Sequence, residues 1–560
     1  GYVIYRSTHP QFLDQQTITD ANGSKFLFEP LKMYNGAPAR FDLDNDYYGM
    51  SEIVYPGRGA YYTLGDNTGL VHSYIDSNNV LNGQAYYYAV VSYDHGSREL
   101  EIPPSECSKT ITLNPTTNEL ITDINTVRIV PSAPALGVVN GTIQNNEIIH
   151  KSGVTTAKIF LDIVDPYSLQ DGNQFEITFR ESPTRYSIKD LKLIEESVTI
   201  SIEKYKQLLH GNIDLGSVTV SDESGNTYFI NDDFELIDTT GKIKGIDGGD
   251  MIDGNNYIVS YLYFPIINSK AIDLELTNPI VDGVKITAKD VVLALNENNT
   301  KWSSTSSCTW VPEVIPFNGA DQFMYPGAYE VRFFNEIVDT SSTSLHPSFG
   351  NSRMNFEVWD VTPGRVPYKE EVTIIEEGDD PDSLWSPGDR AIIMDGQPLG
   401  GKWEFTFFLP DSGDTIAASA GDIFFIDTHR PFAESDTLVY TTLATQYDKT
   451  VASTKLDSIY VVPNPYVVTN VLEQLDLQSP MDRGPRKIYF TNLPKECTIT
   501  IYTVNGELVE TIKHDSDIDN SQEHWDLTTK DNFPLAYGVY LYHVDAPGIG
   551  EKLGRFAVIK

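Results

Sequence analysis

Four short acidic stretches are the places where this chain's residue types could do chemistry. "DLDND" sets Asp42, Asp44 and Asp46 at alternate positions, and "DSDID" repeats the alternation at Asp515, Asp517 and Asp519. A loop wraps carboxylate oxygens around Ca2+ with that spacing, so Ca2+ is the cofactor the sequence calls for. The first stretch is not an EF-hand. Counted from Asp42, the sixth position is Tyr47 where a sharp turn needs Gly, and the twelfth is Ile53 rather than Glu. "DGGDMIDGNN" (Asp247, Asp250, Asp253) and "EEGDDPDSLWSPGD" (Asp379, Asp380, Asp382) are looser versions. Solvated Asp-rich turns have the same composition, and loss of a bound ion here would loosen a loop rather than stop a reaction.

The parts of an enzyme are harder to find. The ten histidines are scattered singly with no HExxH, and no GxSxG, GxxxxGKS/T or GxGxxG occurs. "SIEK" (Ser201 to Lys204) has Ser-x-x-Lys spacing without its companion motifs and reads more simply as a helix start. Paired carboxylates are too numerous to single out a glycosidase dyad. Trp302, Trp310, Trp359, Trp385 and Trp403 cluster in the middle of the chain. Exposed on a concave face they would stack on sugars. In "FEVWD" and "KWEFTFF", however, they alternate with apolar neighbours, which places them in a core.

A formal charge of −39, from 79 acidic against 40 basic residues, repels nucleic acid and anionic membranes and excludes both as partners. The cysteines Cys107, Cys308 and Cys497 are widely spaced and odd in number. At least one must be a free thiol or pair between chains, so stability has to come from cores. The longest apolar run, "YIVSYLYFPII", stops well short of the ~20 residues of a membrane span, and no transmembrane segment is expected.

The elements that must position these residues are strands. Tyr outnumbers Phe, and short alternating runs are separated by Asn, Asp, Gly and Ser, as in many half-buried strands joined by polar turns. At 560 residues the chain is too long for one core. The fold class is therefore all-β, a string of β-sandwich domains of immunoglobulin/fibronectin-like and jelly-roll-like type. The expected boundaries are 1–113 (with an insertion at 21–68), 114–317 (with a short helix near 202–211, "IEKYKQLLHG"), 318–455 and 456–560. Pro131 and Pro463, each following a Val-rich strand, mark domain entries.

"GYVIYRS" and "LNGQAYYYAVVSYD", followed by "PPSECSKTITL" as an edge strand, resemble strands of a fibronectin type III domain. In that family Tyr86 would be the corner tyrosine tied back to the backbone, and "GYVIYRS" would be the third strand. The resemblance implies that the first two strands come from an upstream part of the same precursor or from a neighbouring copy. "PNPY" (Pro463 to Tyr466), "IYTVNGELV" (Ile501 to Val509), "GVYLYHV" (Gly538 to Val544) and the terminal "GRFAVIK" resemble the C-terminal sorting domain of type IX secretion cargo in Bacteroidetes and related bacteria. That likeness implies export across an outer membrane, extracellular or cell-surface display, and contact with the secretion machinery. The leading reading is a non-catalytic structural or adhesive surface protein that assembles with copies of itself or a partner through sandwich edges. A carbohydrate-binding accessory region of a larger secreted hydrolase, with surface glycans as partners, is the second. A hydrolase within 120–450 is the third.

Overall fold

The computed structural model describes residues 1–19, 25–33, 35–43, 45–54, 60–69, 74–113, 120–180, 184–273, 279–317, 325–346, 349, 351–377, 383–396, 400–467 and 486–559. The chain is nearly all β, with 47% of the described residues in strands and 4% in helix. It forms two compact units. One comprises Gly1–Thr142, Ile163–Asp171 and Leu443–Lys560; the other comprises Ile143–Asp162 and Gly172–Thr442. No helix among the described residues is long and apolar enough to cross a membrane.

In the first unit an antiparallel sheet runs Thr126–Ile129, Tyr86–Ser92, Tyr2–Ser7, Arg40–Phe41. Tyr2–Ser7 has the two faces its sequence foretold: Val3, Tyr5 and Ser7 are buried, while Tyr2, Ile4 and Arg6 lie half-buried on the other side. The edge strand is not the expected one. Ile111–Leu113 pairs with Leu120–Thr122, and Thr126–Ile129 takes the place beside Tyr86–Ser92. Pro103 and Pro104 supply no amide donors to a ladder, whereas Asn125 accepts from Val90 N and returns its side-chain amide to Val90 O. The sheet therefore extends past residue 113. The Tyr86 hydroxyl accepts from Leu81 N at 2.9 Å and lies 3.4 Å from Asn79 O, the backbone tie expected of it.

The end of the chain is a sandwich of a three-stranded sheet (Tyr460–Val462, Ile488–Thr491, Glu523–Trp525) and a five-stranded one (Tyr466–Val467, Gly550–Ile559, Gly538–Ala546, Glu496–Thr503, Leu508–Asp515). Asn505-Gly506, a strong hairpin-turn pair, turns one hairpin, and Pro547-Gly548 turns the other. Phe490, Trp525, Tyr542 and Phe556 fill the core. The stretch after Pro131 is not a free linker but is sewn to this sandwich. Ala135 N donates to Ile518 O and Leu136 N to Leu493 O, both at 2.8 Å, and Ser521 N donates to Ala133 O at 2.9 Å. Leu136 joins the core. Gly137, at φ +104°, lies so close to Asp448 O and the Ala452 Cβ that no side chain fits.

The second unit holds two sandwiches, one inserted in the other. The outer one contains an eight-stranded sheet in which Gln174–Arg180 lies between Thr437–Leu443 and Arg185–Thr199, with Asn256–Ser269 beyond. The inner one stacks Val311–Pro316, Gly401–Phe408, Arg390–Met394 and Val372–Ile375 against a six-stranded sheet centred on Ile423–His429 and Ala328–Phe333. Its sheets begin at Ala294–Leu295 and include Val311–Pro316, so they straddle the expected boundary between 317 and 318. Thr437–Leu443, expected within 318–455, returns to the earlier sandwich. The helix expected at 202–211 is absent. Lys206–Gln207 pairs instead with Ile243 and Lys242, and Leu208 is buried, because ten residues alone are too short to hold a helix against tertiary pairing. Trp310, Trp385 and Trp403 are buried in the inner sandwich, in keeping with a core role.

One core position carries a charge. Tyr186, Ile188 and Asp190 alternate inward along Arg185–Thr199, and Asp190 sits where the pairing slips from Tyr263 to Tyr261. It accepts from Lys192 N at 2.8 Å. Burial, and then the Asp190 carboxylate, hold Asp282 above the usual carboxylate range, opposed by Lys192 and His210. Asp282 is at φ +43° in a tight Asp-Gly hairpin turn, a conformation Asn also accepts. A raised folded-state pKa means stability present in acid and lost as pH rises through that value. Asp282→Asn should therefore raise the melting temperature at neutral pH, with the gain shrinking as pH falls through the raised folded-state value and gone below about pH 4, the ordinary Asp value. An equal gain at all pH values would contradict this account.

Candidate functional site

The outer face of the first sheet carries an open apolar groove. Ile4 and Tyr2 come from one strand, Tyr88 and Val90 from its neighbour and Ile129 from the edge. With Leu31, Tyr74 and Val80 they line a groove of about 710 Å³. Period-2 alternation puts these residues on one side, because their in-between partners Val3, Tyr5, Tyr87 and Val91 are committed to the core. Val90 and Ile129 remain 49% and 44% exposed, too much apolar surface for a strand that already packs inward. The groove's wall is fixed by charge. Asp76 accepts from Arg6 Nη1 at 2.8 Å and from the Tyr88 hydroxyl at 2.7 Å, and Arg6 also donates to Asn78 O. Beside the groove runs the outer edge of Thr126–Ile129, with which no strand pairs among the described residues. An unpaired edge next to an apolar groove can take up an extended peptide, the edge supplying hydrogen bonds and the groove receiving alternate side chains.

The acidic stretches singled out for calcium sit in hydrogen-bonded turns. Asp42 is buried, and its carboxylate accepts from Asn67 N, Thr68 N and the Thr68 hydroxyl, so it caps a turn some 25 residues away. Asp46 is exposed, and Asp44 lies outside the described residues. Asp515, Asp517 and Asp519 are all exposed. Their loop is held by Ser516, whose hydroxyl donates to Asn520 O at 2.7 Å, and Asp519 O accepts from the Ser132 hydroxyl. Asp247, Asp250 and Asp253 follow the chain over a turn where Asp250 N and Ile202 N donate to Asp233 and Asp253. Asp379, Asp380 and Asp382 lie outside the described residues. Among the described residues no three His, Cys, Asp or Glu side chains converge as a metal site.

The fold also assembles a constellation that sequence reading missed. Ser516 Oγ lies 3.0 Å from His514 Nε2, and His514 Nδ1 lies 2.9 Å from Glu523 Oε2. The order resembles a hydrolytic triad, but the serine hydroxyl also donates to Asn520 O at 2.7 Å and so ties the loop's own backbone together. The imidazole is buried and bridges the loop to Glu523. This is a brace for the loop that receives residues 132–136. The three cysteines are all free thiols, and burial pushes that of Cys497 up to about 12.

No family model matches the chain, and no curated protein matches it by sequence. Several solved structures align with it over most of its length. PorZ, titled an essential surface component of the type IX secretion system of Porphyromonas gingivalis, aligns at 12% identity and TM-score 0.17, over 90% of this chain and 77% of that one. The BSP domain of a biofilm-associated protein aligns at 9% and 0.13, over 78% and 83%. Dimeric latent PorU from P. gingivalis aligns at 13% and 0.13, over 80% of this chain and 36% of that one. Likenesses this faint carry no argument about mechanism, which has to come from the chain's own residues.

Proposed function

We propose that this chain is a non-catalytic, adhesive β protein displayed outside the cell, which associates with a second copy of itself across the outer edge of its first sheet. The observation that carries the reading is the unpaired, apolar edge Thr126–Ile129 opening onto the groove of Tyr2, Ile4, Tyr88 and Val90. Two such edges related by a two-fold axis would join their sheets into one, with Val127 and Ile129 of each copy covering the other. The exported location is supported by the terminal sandwich, whose two hairpins hold the stretches "IYTVNGELV" and "GVYLYHV" that resemble a sorting domain.

Light scattering on purified full-length chain tests the reading. Association should grow through the micromolar range and should strengthen with added salt, because salt screens repulsion between molecules of charge −39. Val127→Lys with Ile129→Lys should return the chain to a monomer with little change in melting temperature, since both side chains are exposed. A monomer at every concentration, or dimers indifferent to the two lysines, would remove this edge as the contact.

A further inference from the structure

The inner sandwich of the second unit carries a second opening, of different chemistry and independent of the association edge. A cleft of about 670 Å³ lies on the outer face of its six-stranded sheet. Its floor is apolar: Phe425 and Ala328 from the sheet, with Val361 and Pro363 from the turn that follows Phe356–Asp360. Its rim is cationic and amide-bearing: Lys158, Lys301, His429 and Asn299. Lys301 stands across from Phe425 in the ladder, so its ammonium rises beside the aromatic floor.

Two carboxylates beside this cleft are already paired. Burial alone would raise the Asp427 carboxyl, but Arg430 and the Asn296 and Asn299 amides hold it below the usual range. Arg430 Nη1 meets it at 2.8 Å, and each amide donates to its other oxygen. Glu330, opposite Phe425, is paired with Arg332 at 2.6 Å. Lys158 and Lys301 are exposed, and neither forms an ion pair among the described residues. Against an overall charge of −39, Lys158 and Lys301 thus bring to this cleft two ammonium groups with no ion-pair partner among the described residues.

We propose that this cleft binds an acidic saccharide: a sugar ring laid on Phe425, its carboxylate or sulfate held by Lys158 and Lys301. The volume suits one or two sugar units. The half-buried aromatic ring presents a flat apolar surface to a pyranose, and two unpaired ammonium groups supply charge-assisted hydrogen bonds to an anionic substituent. Asn299 and His429 offer polar contacts to neighbouring hydroxyls. Asp427, saturated by Arg430 and two amides, is part of the wall rather than a ligand.

Affinity electrophoresis of the full chain in gels containing polygalacturonate, heparin or dextran tests the proposal. So acidic a protein is repelled by acidic polymers in general, so retardation by either of them reports a local site. Retardation by polygalacturonate but not heparin identifies a carboxylate ligand, the reverse a sulfate, and both together an anion of either kind. Lys158→Ala with Lys301→Ala should weaken binding about tenfold or more, and Phe425→Ala should weaken it with both lysines in place. Circular dichroism confirms that the variants fold. No retardation by either acidic polymer, equal retardation by neutral dextran, or binding that survives the paired lysine change would each overturn the assignment. Loss of self-association in the Val127→Lys, Ile129→Lys variant should leave the saccharide binding intact.

Discussion

An Arg430→Met variant is expected to lose about 3–5 kcal/mol of stability in the second unit, the cost of removing one partner from a buried ion pair. Arg430 is 5% exposed, and every donor it uses has a target. Nε reaches Val154 O at 2.7 Å, while Nη1 reaches Asp427, Thr428 O and Gly327 O. Methionine fills the stem's volume but leaves the Asp427 charge in place with only two amides to hold it, and leaves Val154 O without this donor. The guanidinium also joins the two sandwiches of the unit, since Val154 belongs to the outer one and Asp427 to the inner. Calorimetry should show the transition of residues 143–162 and 172–442 moving down while that of the other unit stays. Adding Asp427→Asn should recover part of the loss by removing the uncompensated charge. A single Arg430→Met that melts like the parent would refute the clasp.

Trp403→Ala should cost a similar amount, about 3–5 kcal/mol, by leaving a void in the inner sandwich. The ring is fully buried among the aromatic side chains of that core, and its Nε1 donates to Tyr325 O at 2.9 Å. Trp403→Phe should lose less, keeping most of the volume while giving up the hydrogen bond. The same variants separate two roles for the middle tryptophans. A sugar-stacking ring would lose binding with no change in melting temperature, whereas Trp403 should lose stability, and saccharide binding at the cleft only as far as the sandwich unfolds.

Local chemistry was legible and long-range pairing was not. The alternation in "GYVIYRS" and "YYYAVVSYD" announced which side chains would be buried, because a strand's two faces are written every second residue. The Asn-Gly turn of the last sandwich was equally readable. The Asp42 motif's spacing says nothing about Asn67 and Thr68, whose backbone amides donate to its carboxylate. Two similar short strands competed for the sheet edge, and hydrogen bonds from Asn125, invisible in periodicity, decided between them. The saccharide cleft draws on Lys158, Lys301 and Phe425, whose separations leave no motif. Asp190 did leave a signal: a carboxylate in an inward position of an alternating run, Tyr186, Ile188, Asp190.

The nesting of these sandwiches sets an order of events during folding. Gln174–Arg180 cannot complete its sheet until Thr437–Leu443 has been made, about 260 residues later, and closing so long a loop from an open chain is slow. An inserted sandwich that forms first would remove that difficulty. Phe432 N donates to Asp290 Oδ1 at 2.9 Å, so the ends of the insertion are held together once it forms. The step is repeated one level out, where Gly141 N donates to Thr445 Oγ1 at 2.8 Å. Each completed layer thus acts as a short bridge for the next, and the chain matures from its middle outward. The segment 133–136, synthesised early, waits for the last hundred residues before its backbone finds Ile518, Leu493 and Ser521.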